Sequence, residues 1–323
     1  MPVSSLVRFV CGVASAVLVA HLLTSVAVAG SLYAMHSHRI FDLRRFSNDA
    51  VANFRLVGTF LNARATGERH PIVVFAGSSV TFGFLWDERV TFAGLFAERH
   101  PSDTVLNASI IAADVSAMND WIVCAARRNH ISLDSVVIEL PVVNSLSYLV
   151  NLQHAGIEPA ALSSCDGGTD LGYFGLAATT VRGAGWVRFL WDRSHTSTSE
   201  RKISIGPVPK GYFASATDFA AVKRGFATQI TTTLSNAQSV ASAVYAFPSP
   251  VFVAGLSEIG EDADAVREQL RAALEACRSV PGVQCVDPSA MYTERSYYDN
   301  FTHLNVAGHR AMADLLDIRM GTH

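Results

Sequence analysis

Charge is scarce in this 323-residue chain. Asp, Glu, Lys and Arg together make up 16% of it against 50% apolar residues, and 25 basic side chains face 28 acidic ones for a formal charge of −3. No Lys/Arg-rich block occurs, so nothing is built to neutralise a phosphate backbone, and nucleic acid is excluded as a partner. So little charge at a mean hydropathy of +0.26 also excludes a disordered chain, which needs the opposite balance. Collagen-like and coiled-coil compositions are absent, as is any internal repeat. Cysteine is sparse, five in all, and no pair has the spacing of a metal site. Neither a metal nor an organic cofactor is expected.

What is abundant is apolar sequence at the front. Residues Phe9 to Ala34 contain no Asp, Glu, Lys or Arg, and Val10 to Ala29 is long enough to cross a bilayer. One reading is a signal peptide cleaved after Ala27-Val28-Ala29, before Gly30. The other is an uncleaved anchor, favoured by the apolar run continuing through Leu32, Tyr33 and Met35. Basic residues follow the segment (Arg39, Arg44, Arg45) as well as precede it (Arg8), so the positive-inside rule fixes no orientation. Either reading places the rest of the chain outside the cytoplasm. Cys11 lies in this segment, which leaves an even four for the domain, as suits an oxidising compartment. Cys277 and Cys285 bracket Val280-Pro281-Gly282, and a disulfide between them is the first expectation, with Cys124–Cys165 the second. The alternative is that all four are small buried hydrophobes.

Residues 1–35 are therefore expected to be signal or anchor. Residues 36–69, with Phe46, Ala50, Phe54, Val57 and Leu61 at roughly helical spacing, read as a stalk and first helix. From 70 to 320 apolar runs alternate with amphipathic stretches. Pro71–Ala76, Asp103–Ala108, Ser135–Val143, Ala243–Phe247 and Val283–Val286 read as strands. Thr91–Arg99, Val115–Asn129, Thr217–Ser242, Asp262–Cys277 and a segment capped by Asn305 read as helices. Periodicity lapses from 144 to 215, a Gly-, aromatic- and Ser/Thr-rich insertion. Its Phe174, Trp186, Phe189 and Trp191 need either core packing or a ligand. Strands alternating with helices, and little sign of hairpins, predict a three-layer α/β/α domain with a parallel sheet.

Ligands of such sheets bind beyond the carboxyl ends of the strands, and suggestive residues stand there. After the first strand comes Gly77-Ser78-Ser79-Val80-Thr81-Phe82-Gly83, after the second Asn107-Ala108-Ser109, after the third Pro141-Val142-Val143-Asn144. Asp299-Asn300-Phe301-Thr302-His303-Leu304-Asn305 follows the last. A serine at a strand-to-helix turn can project its Oγ above the sheet, a histidine can take its proton, and N–H groups with an Asn amide can hold an oxyanion. His100, His130, His154, His195, His309, Asp114 and Glu139 have no such company in the sequence and read as surface or structural residues.

The set and order of these blocks resemble the SGNH/GDSL hydrolases. Gly77-Ser78-Ser79 with Thr81 and Gly83 is similar to the family's first block, Gly-Asp-Ser-hydrophobic-Thr-hydrophobic-Gly, and His303-Leu304-Asn305 with Gly308 to its last. The resemblance covers roughly residues 70–145 and 240–317. It implies an SGNH-like (flavodoxin-like) fold, Ser79 as nucleophile and His303 as base. Ser109 and Asn144, standing for the second and third blocks, are implied as oxyanion-hole donors. There are departures. Ser78 replaces the Asp of the first block, as in envelope-associated branches, and Ser109 replaces a glycine. Asn144 comes one position late. Asn300 occupies the place of the family's acid, so that either Asp299 orients His303 or a Ser79–His303 dyad works alone. The implied activity is a serine-dependent ester hydrolase or O-acyltransferase, with an acylated carbohydrate of the cell envelope or an exported polysaccharide as substrate. The implied partners are the membrane and, for a transferase, a membrane-bound acyltransferase or export component. The alternatives are a lipolytic esterase and a non-catalytic member of a polysaccharide-modification complex.

Overall fold

The computed structural model describes residues 15, 18–23, 40–42, 71–83, 86, 88–109, 114–115, 119–128, 130–156, 213–290, 293–297 and 302–321. Among these, six parallel strands form one sheet in the order β1-β3-β2-β4-β5-β6. They are β1 (Ile40–Asp42), β2 (Ile72–Ala76), β3 (Thr104–Asn107), β4 (Leu133–Leu140), β5 (Ala241–Pro248) and β6 (Val283–Cys285). The helices are α1 (Ser79–Phe82), α2 (Phe92–Arg99), α3 (Ala125–Arg128, continuing a π-helical turn at Asn119–Cys124), α4 (Val142–His154), α5 (Ala216–Gln238), α6 (Ala263–Arg278) and α7 (Val306–Met320).

Period-two alternation sorts the strands' side chains between two cores. Ile72, Val74 and Ala76 of β2, with Val136, Ile138 and Leu140 of β4, pack against α4, α5 and α6 through Leu146, Leu149, Phe226, Ile230, Ala273 and Cys277. Val73 and Phe75, with Val137 of β4 and Tyr245 and Phe247 of β5, pack against α2 and α7 through Phe92, Phe96, Met312 and Leu316. This is the three-layer α/β arrangement with a parallel sheet that the alternation predicts. Strands buried on both faces explain why PIVVFA and SVVIELPVV read as unbroken apolar runs rather than alternating ones.

Two differences from the sequence reading are informative. Residues 40–42, assigned there to the stalk, pair with β3 as an edge strand, Ile40 opposite Val105 and Asp42 opposite Asn107. The predicted insertion begins later than 144, because α4 runs on from β4 and buries Val142, Val143, Leu146 and Leu149. Residues 157–212, including the aromatic cluster, lie outside the described residues, as do most of 1–35 and the expected helix between Phe46 and Leu61. Among the described residues no helix is long and apolar enough to cross a membrane.

Cys277 and Cys285 form a disulfide with Cα atoms 6.0 Å apart, tying the end of α6 to β6. Cys124 is also disulfide-bonded; its partner lies outside the described residues.

Candidate active site

The turn that carries Ser79 is built where β2 ends. Gly77 and Ser78 carry the chain from the last strand residue into α1, whose first residue is Ser79, and Gly83 closes the turn in the left-handed conformation with φ 70°. An α-helix leaves its first N–H groups without intrahelical acceptors. Two groups in this turn, the N–H groups of Ser78 and Thr81, donate to Glu139 Oε2 at 2.9 and 3.1 Å. The Ser79 N–H donates to no acceptor among the described residues, so it is available to a developing oxyanion beside its own Oγ.

His303 arrives from the far end of the chain. His303 Nε2 lies 2.8 Å from Ser79 Oγ across 224 residues of sequence. That is the reach at which an unprotonated Nε2 accepts the serine proton. Thr302 Oγ1 stands 3.4 Å from His303 Nδ1. The segment is held from both sides. Buried Trp86 donates its indole N–H to the Leu304 carbonyl at 2.8 Å, and Leu304 forms an antiparallel bridge with Tyr297. Asn305 then starts α7, its Oδ1 accepting from the Gly308 N–H at 3.0 Å and its Nδ2 donating to the carbonyls of Arg295 and Tyr297 at 2.6 and 3.3 Å. Asn305 is thus both the expected helix cap and a brace for the histidine beside it.

The remaining expected residues stand differently. Asp299 lies outside the described residues. Ser109 is buried at the end of β3, but its N–H donates to Asn107 Oδ1 at 3.1 Å, while Asn107 Nδ2 donates to the Thr81 carbonyl at 2.9 Å. A role for that N–H at an oxyanion therefore requires giving up an existing bond. The Ser109 hydroxyl, also buried, has no hydrogen-bond partner among the described residues. Asn144 is half-buried in the first turn of α4, at the carboxyl end of β4 and on the edge of the sheet where Ser79 stands.

The residue the sequence reading passed over is Glu139, set aside there as structural for want of company. It is fully buried and lies directly under the turn that carries Ser79. Besides the two N–H groups, it accepts from the hydroxyls of Ser78 and Thr81, both at 2.6 Å, and of Ser249 at 2.7 Å. Its company comes from the ends of two other strands, β2 and β5, which is why no local pattern revealed it. The available signal was a carboxylate inside the apolar run Val136–Leu140, since such a group is buried only where donors await it. Among the described residues no cluster of His, Cys, Asp or Glu is arranged to hold a metal ion.

The sequence matches no family model and no curated protein sequence. Among solved structures the chain is similar to Axe2, an acetylxylan esterase from Geobacillus stearothermophilus, at 11% identity and TM-score 0.44 over 78% of this chain and 95% of that one. It is similar to the acetyl xylan esterase AlAXEase at 12% identity and TM-score 0.44, over 77% and 98%. An extracellular lipase from Streptomyces rimosus gives 10% identity and TM-score 0.43, over 77% and 99%. The neighbours are thus acetylxylan esterases and a lipase, and the parallel α/β sheet of this chain is consistent with the SGNH/GDSL resemblance carried by Gly77-Ser78-Ser79 and His303-Leu304-Asn305.

Proposed function

We propose that this chain is a serine-dependent esterase of the SGNH type that removes or transfers O-acyl groups, acetyl above all, on a cell-envelope or exported polysaccharide. The observation that carries the reading is the 2.8 Å contact between Ser79 Oγ and His303 Nε2 at the carboxyl end of a central strand. Ser79 Oγ attacks the ester carbonyl carbon as His303 Nε2 takes its proton. The carbonyl electrons move onto the oxygen, which the Ser79 N–H meets. Collapse expels the sugar alcohol, protonated by His303, and leaves acyl-Ser79. Water, or a second sugar hydroxyl in a transferase, attacks the acyl carbon as His303 takes its proton, and as the bond to Ser79 breaks His303 returns that proton to Ser79 Oγ, releasing the acid or the new ester.

Two further observations support an extracytoplasmic, membrane-anchored domain. Residues 18–23 are helical, with Leu18, Val19 and Leu23 more than half exposed, an apolar surface suited to lipid. The disulfides at Cys277–Cys285 and at Cys124 suit an oxidising compartment.

The test is fluorophosphonate labelling of the full chain in detergent, with acetyl-ester turnover measured alongside. The wild type labels and turns over, and Ser79→Ala and His303→Ala each lower turnover by about 10³-fold or more, as for removal of a triad member. Full activity in either variant sinks the reading. Adding an acylated oligosaccharide with a free-hydroxyl acceptor then separates hydrolase from transferase by whether the acyl group appears in water or on the acceptor.

A further inference from the structure

Glu139 is buried completely and takes no part in the chemistry just described, yet its side-chain hydrogen bonds end on Ser78 and Thr81, on either side of Ser79 in the turn, and on Ser249 after β5. An ionised carboxylate accepts at about four lone-pair sites, and here five donors converge on it. Oε2 takes the Ser78 N–H, the Thr81 N–H and the Thr81 hydroxyl. Oε1 takes the hydroxyls of Ser78 and Ser249. The approach is so close that a Cβ on Gly77 would stand 2.4 Å from Oε2 and 2.3 Å from Thr81 Oγ1. The first-block glycine is therefore a requirement of the carboxylate beneath it.

Resting on the esterase reading above, we infer that Glu139 is the positioning residue for the nucleophile. By drawing the side chains of Ser78 and Thr81 down into the sheet, it leaves Ser79 as the hydroxyl of the turn turned up toward His303. It also occupies the N–H groups of Ser78 and Thr81 and leaves the Ser79 N–H open to the oxyanion. Ser249, directly after β5, adds a third strand end to the same carboxylate, so the turn is fixed relative to β4 and β5 as well as to its own strand. A misplacement of about 1 Å at such a turn costs on the order of 10²-fold in rate.

The carboxamide of Glu139→Gln can reproduce this pattern. Its oxygen accepts from the two N–H groups and Thr81, and its NH₂ donates to the hydroxyls of Ser78 and Ser249. Ser249 then turns its own hydrogen to the Leu140 carbonyl, already 3.1 Å away. Glu139→Ala cannot reproduce it. The experiment compares full-length wild type, Glu139→Ala and Glu139→Gln by kcat and KM per folded molecule and by the rate constant of phosphonate labelling, with near-UV circular dichroism to count folded protein. Positioning predicts that Glu139→Ala loses about 10²-fold in kcat and in labelling rate with KM little changed, and that Glu139→Gln restores both to within about tenfold of wild type.

Glu139→Ala within about threefold of wild type per folded molecule overturns the inference. So does a folded Glu139→Gln as slow as the alanine variant, since the charge and not the bonds would then matter. If Glu139→Ala does not fold, Ser78→Ala/Thr81→Val removes both side-chain donors of the turn and leaves Glu139 in place. A kcat drop of about tenfold or more supports the inference, and unchanged kcat overturns it. A wild type that does not label at all defeats the esterase reading instead, which keeps the two failures apart.

Discussion

The two partners of the Ser79–His303 contact are held by different physics. The nucleophile side is pinned from below by a single buried carboxylate with five donors. The base side is held laterally by neutral bonds spread over a bridge, an indole and a helix cap. A buried carboxyl group whose acceptor sites are filled is stiff, because any movement strands either an oxygen or a donor. A set of neutral bonds worth about 1 kcal/mol each yields by degrees. The nucleophile turn should therefore fail abruptly and the histidine segment gradually.

Each side carries a glycine against which this contrast can be broken. Gly77→Ala is expected to have the largest effect, since its Cβ would lie 2.3–2.6 Å from Thr81 and Glu139. A loss of about 10²-fold in kcat is expected, with 1–3 kcal/mol or somewhat more of destabilisation from overpacking, measured by steady-state kinetics and urea unfolding. Gly308→Ala places a Cβ 2.3 Å from the Ser296 carbonyl oxygen and 2.9 Å from Leu304 Cδ2. It is expected to cost a similar 1–3 kcal/mol but a smaller share of kcat, because the segment carrying His303 can shift. If Gly308→Ala loses more activity per unit of stability than Gly77→Ala, the contrast is wrong. The smallest effect is expected of Asn305→Asp, which keeps the capping oxygen and places a favourable charge at a helix N-terminus. It gives up the two amide donations to Arg295 and Tyr297. Stability should change by less than about 1 kcal/mol while kcat falls modestly, a separation that thermal melts and kinetics on one sample resolve.

Features with a local cause were legible in the sequence. Strands buried on both faces announced themselves as apolar runs, Asn305 as a cap, and Cys277–Cys285 through the turn between them. Ser79 and His303, singled out by their places at strand ends together with the family resemblance, are brought within 2.8 Å of each other in the structure. What stayed hidden depends on distant company. Glu139 looks like one more residue of SVVIELPVV until Ser78, Thr81 and Ser249 are brought to it. The availability of the Ser109 N–H could not be judged without knowing where the Asn107 amide points. The helix α4 was missed because its buried face, Val142, Val143, Leu146 and Leu149, overlaps the apolar end of β4 and so blurs two periods into one run. The edge strand at 40–42 is too short to carry a period at all.

The separation of 224 positions between Ser79 and His303 also bears on when, on the proposed esterase reading, the chain becomes reactive. Long-range pairings of this kind are made late in folding, after the cost of closing the loop has been met. On that reading the serine meets His303 only once the carboxyl-terminal segment from Thr302 onward has been synthesised and docked beside the Ser79 turn. A nascent or truncated chain carries the serine without the means to activate it, so the order of synthesis itself delays reactivity until the domain is whole.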